Sequence, residues 1–172
     1  VRLYAGPVEP DNFAGLGVVL TADGTVAADA DSLPDIPDAV AVLPDGTQTQ
    51  MLVRKRDAAA DIAYLQPATS TTQAAISWTP IAIAGDHAVL GQEIIALSGG
   101  AVPRIASGLV VALAPSGAAS TSPQVVETDV AGSSLLSGSP LIDEQGALVG
   151  ISTGNARSVN ASGFISASVL SY

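Results

Sequence analysis

Short apolar runs broken by turn residues set the rhythm of this chain. Leu16 to Leu20 ends at Ala22-Asp23-Gly24 and resumes at Thr25 to Ala28, which predicts a hairpin. Ala39 to Leu43 meets Pro44-Asp45-Gly46 and continues as Thr47 to Val53. That is a second hairpin, with proline at the turn entry and glycine where a positive φ is wanted. Leu141-Ile142, the turn Asp143-Glu144-Gln145-Gly146, and Ala147 to Ile151 make a third. Asp61 to Leu65, Ile81 to Ala84, Glu93 to Leu97, Ile105 to Leu113, Val125 to Val130 and Phe164 to Ala167 are further strand-sized runs, and Val169 to Tyr172 reads as a terminal turn. No segment sustains helical periodicity over a helical length. About a dozen short strands with turn signals every 8–12 residues predict an all-β sandwich or barrel. Gln66 to Gln73 reads as a connector between two halves, Pro115 to Pro123 as an exposed loop, and no internal repeat recurs at a fixed period.

Composition narrows this picture. The 172 residues suit one compact unit or two small lobes sharing an interface. Hydrophobic residues make up 48% and charged residues 13%, too apolar for a disordered chain. Sixteen acidic against six basic residues give a net charge of -10, which repels nucleic-acid backbones and anionic membrane surfaces. With no cysteine, disulfides, thiolate-metal sites and cysteine nucleophiles are all excluded. No apolar run reaches the length of a membrane span, and no basic-then-apolar leader opens the chain. The start at Val1 is what a trimmed domain or a mature form would show.

Candidate chemistry concentrates in the last third. Thr128-Asp129-Val130-Ala131-Gly132-Ser133-Ser134-Leu135-Leu136-Ser137-Gly138-Ser139-Pro140-Leu141-Ile142 is followed by Val149-Gly150-Ile151-Ser152-Thr153 and then Ser162-Gly163-Phe164-Ile165. This order resembles trypsin-fold serine proteases of the HtrA (DegP-like) branch, where "TDA…GNSGGPL" carries the nucleophile. Upstream, Gly15 to Gly24 is similar to "GSGVII…DG", Asp61-Ile62-Ala63-Tyr64-Leu65 to "DLAVL", Leu90 to Leu97 to "LGD.V.AIG", and Ile105 to Val110 to "VTSGIVS". The resemblance is collinear over nearly the whole chain. It implies two packed six-stranded antiparallel β-barrels in a single domain over 1–172, the first barrel at about 1–70 and the second at about 78–172. It places Ser137 at the nucleophile, Asp61 at the triad acid, and Leu135, Leu136 and Ser137 in the oxyanion loop.

Two departures from that family govern the functional expectation. The histidine of "TN.HV" falls on Asp31, and a carboxylate with a pKa near 4 is too weak a base to relay the serine proton near pH 7. Asp31 is therefore expected to be inactive. Leu135 stands where the family has glycine, and its Cβ restricts the positive-φ conformations open to glycine. The only histidine, His87, lies before the Leu90 to Leu97 run and reads as an ordinary turn residue.

The remaining motifs have bland readings. Asp29, Asp31, Asp35 and Asp38 form an acidic run that lacks calcium-loop spacing, carries two prolines and reads as a solvated loop. Ser-Gly clusters at Ser98-Gly99-Gly100 and Gly132-Ser133-Ser134 lack a P-loop pattern. Trp78 reads as core at the junction of the halves. Asp61 is expected to bond backbone amides, because an unpaired buried carboxylate is costly.

These readings lead to a catalytically inactive trypsin-like domain that acts as a protein- or peptide-interaction or regulatory module. The alternative is an active serine endopeptidase using Ser137 and an unconventional or externally supplied base. A purely structural domain is a third reading. No cofactor or metal is expected, and no nucleic acid. By resemblance, the ligand is a protein or peptide in or beside the cleft between the barrels, an oligomer is compatible, and the location is periplasmic or extracellular.

Overall fold

The computed structural model describes residues 1–68, 76–85, 88–115 and 124–172. The hairpins close into two six-stranded antiparallel barrels. The first contains β1 (Arg2–Tyr4), β2 (Phe13–Val19), β3 (Val26–Asp29), β4 (Asp38–Val42), β5 (Gln48–Asp57) and β6 (Ile62–Pro67). The second contains β7 (Glu93–Ser98), β8 (Arg104–Pro115), β9 (Gln124–Thr128), β10 (Pro140–Ile142), β11 (Leu148–Ile151) and β12 (Gly163–Ser166). Going round the first barrel the order is β1-β2-β3-β6-β5-β4, and round the second it is β7-β8-β9-β12-β11-β10. One topology thus occurs twice without any period in the sequence.

The period-two alternation of strands distributes the core. In β3, Val26 and Ala28 point into the first barrel, while Ala27 turns to the seam between barrels. In β6, Ala63 and Leu65 face inward and Ile62 and Tyr64 face the seam. The second barrel completes the seam with Val125, Leu148, Ile151 and Ile165, and fills its own interior with Ile94, Val110, Leu141 and Phe164. β3 is buried along its whole length because both of its faces are covered.

Several elements differ from the sequence reading. β1 is too short, at 3 residues, to stand out as a run. Ile81 to Ala84 is not a ladder strand; Ile83 makes an isolated parallel bridge with Leu148, and the Ile81 N–H donates to Val19 O, so this segment clasps both barrels. One α-helix follows β11, α1 (Gly154–Val159), where none was expected. Asp29 is not in a solvated loop: it is the last residue of β3 and is fully buried. Trp78 is half-buried against the first barrel's core, its indole lying over Gly24. Residues 69–75 and 116–123, which hold parts of the two connectors, and His87 lie outside the described residues.

Candidate functional site

Three carboxylates of the first barrel converge on the start of α1 in the second. Asp29 has the parity of Ala27 and so faces the seam; its Oδ1 accepts from the Gly154 N–H at 3.2 Å and from the Asp31 N–H at 3.3 Å. Asp61 sits just before β6 with φ 56°, a left-handed conformation that breaks the strand alternation and costs about 1 kcal/mol outside glycine. Its Oδ2 accepts from the Asn155 N–H at 3.0 Å. Asp31 is exposed in the turn after β3, and its carboxylate, with that of Asp61, fills the space a side chain on residue 154 would need. Glycine at 154 is what lets the helix approach both acids.

Electrostatics strain this arrangement. Burial raises the Asp61 pKa above the usual carboxylate range, the Asn155 N–H opposes that shift, Asp29 and Asp31 add to it by repulsion, and Arg157 partly offsets them. The compensating cation is Arg157 on α1. Its Nη2 donates to Asp29 Oδ2 at 2.8 Å and to Ser137 Oγ at 3.2 Å, and its Nη1 donates to Ser152 Oγ at 3.2 Å. The Arg157–Asp29 ion pair joins the barrels, with Asp29 wholly buried.

Ser137 reaches the seam on a loop whose backbone is tightly held. Its carbonyl accepts from the Leu16 N–H of β2 at 2.8 Å, and the next amide, Gly138, donates to Ser152 O at 2.8 Å. Gly138 has φ 76° and packs against the Leu16 carbonyl, so only glycine fits there. Before it, residues Gly132–Ser134 form a 3-10 turn capped by the Leu135 N–H, which donates to Gly132 O at 3.1 Å. The Leu136 N–H is also occupied, by Ser139 Oγ at 2.9 Å. Leu135 lies in extended conformation at φ -95° and ψ 148°, so the expected left-handed strain does not arise. The turn, rather than any strain from the side chain, decides where this N–H points.

The chemistry open to this cluster is limited by what faces the hydroxyl. A guanidinium offers five N–H donors and no acceptor, so it binds the Ser137 lone pair and cannot take its proton. Among the described residues, no carboxylate accepts a hydrogen bond from Ser137. The structure therefore brings Ser137, Asp61 and Asp31 to one seam through Arg157 and the start of α1, without a hydroxyl-to-base contact. Sequence reasoning missed Asp29 and Arg157. The signal for Asp29 is an acid at the end of an otherwise apolar strand; for Arg157 it is one of only six basic residues, placed just past Ile151-Ser152-Thr153. Among the described residues, no group of three or more His, Cys, Asp or Glu is arranged to hold a metal ion.

A family model described as "Trypsin-like peptidase domain" matches residues 8–151. Among solved structures, the apo form of the MamO protease domain from Magnetospirillum magneticum is similar. It has a TM-score of 0.64 and 24% sequence identity, over 87% of this chain and 80% of that chain. At that identity the likeness establishes the double-barrel fold alone. No curated protein matches the sequence.

Proposed function

This chain belongs to the trypsin-like peptidase domain family, and on that premise we propose that it is a catalytically silent member of the HtrA branch, working outside the cytoplasm as a protein- or peptide-binding module. Acyl transfer by serine needs a base that accepts the hydroxyl proton and returns it to the leaving amine, together with donors aimed at the developing oxyanion. The observation that carries the reading is the Arg157 Nη2 donation to Ser137 Oγ at 3.2 Å, fixed by Asp29 from the opposite barrel. A permanently charged donor occupies a lone pair of the hydroxyl and can accept no proton from it. The Leu135 N–H, turned onto Gly132 O, supports the same conclusion from the oxyanion side. Asp31, at the position the family resemblance gives to histidine, is a carboxylate beside two others and supplies no imidazole.

The test is labelling with a serine-reactive fluorophosphonate probe, alongside cleavage of unfolded casein, with Ser137→Ala and Asp31→His as comparisons. The natural sequence is expected to neither label nor cleave, matching Ser137→Ala. Continued silence of Asp31→His would implicate the oxyanion loop as well as the missing base. Labelling at Ser137 with casein cleavage would overturn the reading.

A further inference from the structure

We propose that a hollow at the mouth of the second barrel, beside the loop that carries Ser137, binds the free carboxylate end of a peptide whose last side chains are small and apolar. The hollow has a volume of about 520 Å³, within the range of ligand pockets, and opens between the β7–β8 turn and the loop before Ser137. Arg104, at the start of β8, stands at it. Ser133 and Ser134 contribute from the 3-10 turn, and Ile105, Leu135 and Leu136 form apolar wall. Among the described residues, no acidic side chain lines it.

The chemistry of those groups selects the ligand. Among the described residues, the guanidinium groups of Arg2, Arg54 and Arg104 have neither an ion pair nor a hydrogen bond, whereas Arg157 is held by Asp29, Arg56 by backbone carbonyls and Lys55 by Ser171; of the three, Arg104 is the one that stands at this hollow. In a chain with sixteen acids and six bases, an unpaired guanidinium beside a hollow free of acids is a place an anion can enter. The Ser133 and Ser134 hydroxyls likewise have no partner among the described residues. Ile105 is 76% exposed, an apolar side chain left in water unless something covers it. A carboxylate answers Arg104 and a small apolar group answers Ile105 and the two leucines. The peptide's own amides offer partners to the exposed Ser133 and Ser134 hydroxyls, which an alkyl chain does not.

This deepens the peptide-binding part of the proposed function and rests on it, while remaining independent of whether Ser137 reacts. The experiment is fluorescence polarisation with a labelled pentapeptide ending in Ala-Val, as free acid and as C-terminal amide, against the natural sequence, Arg104→Gln and the double variant Ser133→Ala/Ser134→Ala. The free acid is expected to bind about tenfold or more tighter than the amide, a gap that Arg104→Gln abolishes. The double serine variant is expected to weaken the free acid. Equal binding of acid and amide, no effect of Arg104→Gln, or no binding of either peptide would overturn the proposal. Displacement by isovalerate at the peptide's own potency would overturn the peptide assignment in favour of a small free acid. Fluorophosphonate labelling of Ser137 would refute catalytic silence and leave these binding results standing, so the two failures are told apart.

Discussion

Asp61 combines three unfavourable conditions: a left-handed backbone, burial, and two neighbouring carboxylates. Its folded-state pKa is raised above the ordinary value of 3.8, so across that window the folded protein retains a proton that the unfolded chain has released. Stability from this group is therefore greatest at acid pH and falls as pH rises through the window. Asp61→Asn keeps an acceptor for the Asn155 N–H, tolerates the left-handed backbone and removes the charge. Relative to the natural sequence, it is expected to be more favourable at pH 7 than at pH 4 in urea unfolding; an identical offset at both pH values would contradict this. Asp61 was legible in the sequence because it opens a recognisable strand motif. Asp29 was not, since it sits in an acidic run whose other members are exposed, and only its strand parity turns it into the seam.

The short helix α1 is the element that organises the site. Its first amides, Gly154 and Asn155, bond Asp29 and Asp61, its cap residue Thr153 accepts from the Ala156 N–H, and its fourth residue is Arg157. At 6 residues it is too short to show a periodic pattern, which is why the sequence reading passed over it. The strands were legible because alternation and turn chemistry are local signals. Arg157→Ala leaves the fully buried Asp29 with amide partners only, and is expected to cost about 3 kcal/mol in urea unfolding. Asp29→Asn combined with it should cost less than the sum of the single changes, because the two side chains form one pair. Strict additivity in that double-mutant cycle would show that the ion pair is not coupled in solution.

At the scale of the molecule, two barrels of one topology share a seam core to which both contribute. Neither barrel buries those side chains alone, so unfolding is expected to be a single transition. Fluorescence of Trp78, the only tryptophan and packed on the first barrel, should coincide with far-UV circular dichroism of the whole chain. Ile151→Ala, which empties space in the seam, is expected to lower stability by roughly 2–5 kcal/mol and to shift both signals together. Separate midpoints would mean that the barrels unfold independently.

Local physics made the all-β architecture readable in advance: apolar runs of strand length and turn dipeptides at their ends. These depend on residues a few positions apart. The tertiary structure alone decided which groups meet Ser137. Arg157 and Asp29 are 128 residues apart and belong to different barrels, and no local pattern encodes their contact. The engagement of the Leu135 N–H was decided there too, because Leu135 adopts an ordinary extended backbone and gives its N–H to the turn behind it. Strand alternation follows from the pleat, whereas the pairing across the seam follows from how two closed barrels pack.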